Sequence, residues 1–175
     1  MSTNIALIGF MGTGKTAVGR LLAKKLDGQF IELDSLIEQK AGKPIPEIFQ
    51  QDGETAFRDL EIEVTKEVAR KKDAVIACGG GIVLNNINID RLRAGGGIVY
   101  LTASPGAILK RVSNEAGQRP LLEVDNPALT IRNMLKFRKP FYERAADITI
   151  NTSKLDINAV AEQIIEKLKE NKSLD

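Results

Sequence analysis

The chain has 175 residues, 43% of them hydrophobic, which fits one compact domain (1–175) with a sizeable core. A net charge of +2 with 27% charged residues gives none of the basic excess that bulk nucleic-acid binding requires, and no stretch approaches membrane-spanning length. The single cysteine, Cys78, rules out an intrachain disulfide framework, and the absence of histidine leaves carboxylates, lysines or the substrate itself as the available bases.

In chain order, Ile5–Phe10 is a short apolar run followed by a glycine-rich turn, and Thr16–Leu26 has apolar residues at helical spacing. No basic segment with a long apolar core precedes the first strand, so a cytoplasmic protein is expected. Gln29–Leu33 reads as a second strand, with Asp34 as a possible cap for a helix over Ser35–Lys40 that ends at Gly42. Ile45–Gln51 is a short helix closed by Gly53, and Glu54–Lys71 a longer one with Phe57, Leu60, Val64 and Val68 on one stripe. Ala74–Cys78 is a third strand ending in three glycines, and Asn88–Arg93 a short helix. Gly95, Gly96 and Gly97 read as a turn before a fourth strand, Ile98–Leu101. Ser104-Pro105 and Asn126-Pro127 each pair a capping side chain with a proline suited to the first helical position, opening helices to about Val112 and Lys139. Between them, residues 113–125 lack periodicity and are expected to form a mobile loop. Ile148–Asn151 is a fifth strand, and Asp156 caps a last helix. Alternating strands and helices predict a parallel sheet with helices on both faces, an α/β/α sandwich.

The strongest chemical signal is Gly9-Phe10-Met11-Gly12-Thr13-Gly14-Lys15-Thr16, which matches G-x-x-x-x-G-K-[ST] between a strand and a helix. Glycines let backbone N–H groups approach a polyphosphate, and the following helix N-terminus adds its positive end. Gly12, Thr13, Gly14, Lys15, Thr16 and Ala17 are therefore the nucleotide-binding candidates, with Lys15 reaching the β- and γ-phosphates and the Thr16 hydroxyl binding Mg²⁺. The motif fixes nucleotide binding but not the reaction. A switch GTPase would carry Asp-x-x-Gly, which does not occur, so a compact ATP-dependent small-molecule kinase fits best.

Further segments, in order and at suitable spacing, make the chain resemble the shikimate kinases over nearly its whole length. They are Phe30-Ile31-Glu32-Leu33-Asp34, Phe57-Arg58-Asp59-Leu60-Glu61, Gly79-Gly80-Gly81, Arg119-Pro120-Leu121-Leu122 and Arg138-Lys139-Pro140-Phe141-Tyr142. The resemblance implies a P-loop kinase fold with strand order 2-3-1-4-5, a substrate-binding region near 33–61 and a lid near 113–125. It implies transfer of the ATP γ-phosphoryl to shikimate, with Mg²⁺ as cofactor and the chain expected as a monomer.

By the same resemblance Asp34 holds substrate hydroxyls and is the candidate base; read from the residues alone, a plain helix cap is an equal alternative. Arg58 and Arg138 hold the substrate carboxylate, Glu61 orients Arg58, and Gly79, Gly80 and Gly81 lie against the ring. The alternatives are a local ion pair for Arg58 and Glu61 and a solvated cation for Arg138. Glu32 stands where the family has Asp and is expected to hold Mg²⁺ through water. Arg119 closes over the phosphates, Arg111 stacks on adenine, and the Thr152–Leu155 loop, with Ser153 and Lys154, forms the far side of that pocket. Two other readings remain: a sister enzyme such as a gluconate kinase, and a non-catalytic nucleotide-binding module.

Overall fold

The computed structural model describes residues 3–114 and 124–172. Five parallel strands, β1 (Asn4–Ile8), β2 (Gln29–Glu32), β3 (Ala74–Ala77), β4 (Gly96–Thr102) and β5 (Ile148–Asn151), form one sheet in the order β2-β3-β1-β4-β5. The helices are α1 (Lys15–Lys25), α2 (Leu33–Ala41), α3 (Ile45–Val68), α4 (Asn86–Gly95), α5 (Pro105–Ser113), α6 (Pro127–Ala145) and α7 (Ile157–Lys172).

Side chains alternate across each strand, so β1 serves two cores. Ala6 and Ile8 join Ile76, Ile98 and Tyr100 beneath α2, α3, α4 and α6, while Ile5 and Leu7 join Val75, Val99 and Leu101 against α1 and α7. This is the predicted three-layer sandwich. Because α1 and α4 leave the neighbouring strands β1 and β3 toward opposite faces, the crevice opens at the carboxyl ends of those two strands, where open α/β sheets place ligands.

Helix starts follow the local chemistry. Ser104 and Asn126 accept from the N–H of Ala107 and Leu129, and Asp156 accepts from Ala159, as their spacing predicts. Gly53, at φ 86° and ψ 169°, breaks the α3 span into the two expected helices.

Three expectations are corrected. Asp34 is not a cap: α2 begins at Leu33, its cap position is Glu32, no side chain caps it, and Asp34 lies in the first turn. Gly96 and Gly97 belong to β4 rather than a turn. The backbone of Asn4 in β1 passes so close to Gly96 that a Cβ there would overlap it, which is why the strand opens on glycine. Finally, α6 does not stop near Lys139 but runs through Pro140 to Ala145, held by the buried side chains of Tyr142 and Ala145. Most of the expected lid, residues 115–123, lies outside the described residues.

Candidate active site at the carboxyl ends of β1 and β3

The loop after β1 is coiled around a cation. Gly12 and Gly14 adopt φ of 75° and 97°, backbone that a side chain would strain, and the Thr13 hydroxyl donates to the Phe10 carbonyl at 2.8 Å. Lys15 Nζ donates to the carbonyls of Gly9 and Phe10 at 2.7 and 2.8 Å, which holds the ammonium inside the loop. No side chain caps α1 and no acidic residue stands in its first turn, so its N–H groups and positive end suit an anion. Thr16 and Ala17 are exposed at this terminus. The Thr16 hydroxyl donates to Glu32 Oε2 at 2.8 Å.

The carboxylate of Glu32 is raised above its ordinary value, chiefly by burial and also by Asp34, against the Thr16 hydrogen bond and the charge of Lys15. Among the described residues no group of three or more His, Cys, Asp or Glu side chains could hold a metal. The hard oxygens of Thr16 and Glu32 instead suit an ion shared with phosphate oxygens, the habit of Mg²⁺, which takes one or two protein ligands and keeps its waters.

Gly79, Gly80 and Gly81 follow β3 and organise the other half of the crevice. A Cβ on Gly79 would stand 2.8 Å from Asp34 Oδ1 and 3.5 Å from Glu61 Oε2. On Gly80 it would stand 3.2 Å from an Arg138 terminal nitrogen, and on Gly81 2.6 Å from both terminal nitrogens of Arg58. The three glycines thus form a floor on which Asp34 of α2, Arg58 and Glu61 of α3, and Arg138 of α6 converge. The Gly9 carbonyl lies 3.7 Å from the same Gly80 position, so this floor adjoins the phosphate loop.

Arg58 donates to Glu61 Oε1 at 2.9 Å, and Glu54 stands 3.6 Å from its other side. Glu61 is 0% exposed, so this is not a surface pair. Burial pushes its carboxyl up, Arg58 only partly offsets that, and Oε2 has no hydrogen-bond partner. Arg138 packs on the Phe10 ring, 5.7 Å from its centroid. Cys78 is buried and burial pushes its thiol far up, which makes it an inert strand-end residue.

On the other flank, Arg111 donates to the Gly12 carbonyl at 3.0 Å and to the Thr152 hydroxyl and carbonyl at 3.1 and 2.7 Å. It therefore ties the phosphate loop to the loop after β5. Ser153 Oγ accepts from the Ser104 N–H at 2.8 Å, and Lys154 is exposed beside it. Arg119 lies outside the described residues.

Two residues that the resemblance names only within longer segments have particular roles here. Buried Thr152 accepts from Arg111 and shares its own proton between the carbonyls of Thr13 and Thr102, at 3.1 and 3.2 Å. The resemblance places the Thr152–Leu155 loop beside adenine but does not single out this threonine. Tyr142 donates to the Gly80 carbonyl at 2.5 Å. Its spacing of four from Arg138 puts both on one helix face and was the available clue.

Residues 11–169 match the shikimate kinase family. The chain is 48% identical to the shikimate kinase of Thermodesulfovibrio yellowstonii over 164 residues, 94% of each chain. It is also 48% identical to that of Caldanaerobacter subterraneus over 162 residues, 93% of this chain and 94% of the other. Its fold superposes with a TM-score of 0.92 on the shikimate kinase of Acinetobacter baumannii solved in complex with shikimate, at 39% identity, covering 98% of this chain and 96% of that one. With the phosphate loop, the glycine floor and the converging arginines all in place along that length, the chain belongs to the shikimate kinase family.

Proposed function

We propose that the chain transfers the γ-phosphoryl of ATP to the 3-hydroxyl of shikimate. The observation that carries this reading is the glycine floor, where two carboxylates and two guanidinium groups from three separate helices meet beside the phosphate loop. Two arginines on one face suit a substrate carboxylate, because the planar fork of each can grip it in a fixed orientation. Asp34, next to that clamp, orients the acceptor hydroxyl and takes its proton as the oxygen attacks phosphorus. Lys15 and the N–H groups at the start of α1 offset the charge on the transferring group. Thr16, with Glu32 acting through water, is the site for Mg²⁺, which when bound neutralises phosphate charge. Arg119 is assigned to cover the phosphates, and Arg111 with the Ser153–Lys154 loop to hold the adenine side.

A coupled ATPase assay with shikimate, gluconate and quinate side by side tests the assignment. Turnover with shikimate alone supports it. Preference for gluconate favours a sister kinase, and nucleotide binding without turnover favours a non-catalytic module.

A further inference from the structure

We propose that Tyr142 is a positioning residue for the acid substrate, its hydroxyl locking the Gly80 carbonyl while seating the Arg138 guanidinium over the glycine floor. The inference rests on the reading of Arg138 as a carboxylate ligand.

The Tyr142 side chain is 0% exposed, and its ring stacks on Tyr100 with centroids 5.0 Å apart. Phenylalanine would fill that space as well, so packing does not call for the hydroxyl. The hydroxyl leaves the core and donates to Gly80, so its lone pairs remain for a donor. Arg138, four residues earlier on the same face of α6, is the donor beside those lone pairs; burial pushes the phenol up to about 12, and the Arg138 charge pulls against that rise. A Cβ on Gly80 would stand 3.2 Å from the Arg138 nitrogen and 3.7 Å from the Tyr142 oxygen, so both groups lean on one side of that glycine. On its other side Arg138 rests on Phe10. The guanidinium is therefore held between a phosphate-loop ring and a buried phenol. Without the phenol it keeps its charge but loses its fixed direction, and the Gly80 carbonyl loses its donor.

The test compares Tyr142→Phe, Arg138→Lys, the double variant, and Tyr100→Phe as a packing control. Loss of one neutral hydrogen bond predicts a rise of about three- to tenfold in KM for shikimate in Tyr142→Phe. KM for ATP stays unchanged, and Tyr100→Phe leaves both constants alone. In the Arg138→Lys background the same change should add almost nothing, because its route to substrate is gone. The proposal is overturned if KM for shikimate does not move, if KM for ATP rises equally, or if the effect persists in full in the Arg138→Lys background. If Arg138→Lys alone leaves KM for shikimate unchanged, the carboxylate clamp fails first and this inference with it. A second measurement does not depend on the folding of Tyr142→Phe. The chain has two tyrosines, so in Tyr100→Phe a biosynthetically incorporated fluorotyrosine reports position 142 alone. Its fluorine resonance should shift on adding shikimate and on Arg138→Lys; a resonance indifferent to both overturns the proposal.

Discussion

The hydroxyl of Thr16, second residue of α1, donates to the carboxylate of Glu32 at the end of β2, 2.8 Å away. This contact links the phosphate loop to the strand that leads into Asp34, and it brings together the two oxygens assigned to Mg²⁺. Glu32→Asp keeps the charge on a shorter arm and should retain activity, since a water can span the difference. Glu32→Gln removes the charge and should raise the Mg²⁺ concentration needed for half-maximal activity by roughly tenfold, the scale of losing an outer ligand. Mg²⁺ titrations of both variants at saturating ATP and shikimate check this. An unchanged midpoint in the Gln variant would remove Glu32 from the metal site.

Much of this arrangement was legible in the chain. Strand order rested on resemblance, but the strand positions came from apolar runs, and the helix starts at Ser104, Asn126 and Asp156 from capping side chains that do accept the expected bonds. Local rules failed where tertiary contact won. Gly96 reads as a turn residue, yet it sits in a strand because Asn4 passes too close for a side chain. Pro140 reads as a helix stop, yet α6 continues because Tyr142 and Ala145 bury beyond it. The roles of Thr152 and Tyr142 depend on hydrogen bonds to residues 139 and 62 positions away, which no local pattern encodes.

Lys15→Ala should lower kcat by about two orders of magnitude, from loss of charge stabilisation on the order of 3 kcal/mol at the transferring group. The fold should persist, because the hydrogen bonds that the ammonium donates to Gly9 and Phe10 lie in the loop, outside the sheet. Steady-state kinetics with a far-UV spectrum of the variant distinguish the two effects. Near-normal kcat in a folded variant would sink the phosphate-loop assignment.

Asp34→Asn separates chemistry from structure. Asp34 does not cap α2, so its amide should leave the melting temperature nearly unchanged. Loss of a general base predicts a fall in kcat of roughly 10²-fold or more. Intact turnover would return Asp34 to a structural role in the first turn of its helix.

Glu61 predicts opposite responses of stability and substrate affinity to pH. Burial raises its carboxyl above the ordinary value of 4.5, so the folded state favours the neutral form. The stability from that preference is fully present below 4.5 and is lost as pH rises through the higher folded value. Ionisation over the same window strengthens the pair with Arg58 and should lower KM for shikimate. Glu61→Gln should flatten both trends. Urea midpoints and KM for the parent and variant, measured in parallel from about pH 4 to 8, check the sign. A parent-minus-variant stability difference that is constant, or that grows with pH, contradicts the assignment.

Arg58 and Arg138 are far apart in the chain, yet each lies over one glycine of the same three-residue floor. Each change to Lys preserves the charge and removes the planar fork. KM for shikimate should rise in both variants while KM for ATP stays nearly constant, at a cost of roughly 1.5–3 kcal/mol each, or about one to two orders of magnitude in kcat/KM. The double change should cost less than the sum, because both residues serve one ligand group. A substrate analogue without the carboxylate should bind the parent poorly and be indifferent to either substitution. Arg58→Lys carries a second consequence that Arg138→Lys does not: it weakens the partner of a buried carboxylate, so it alone should also lower the urea midpoint. Two variants that phosphorylate shikimate like the parent would show that the arginines hold something other than its carboxylate, and a kinase for another hydroxylated acid would become the better reading.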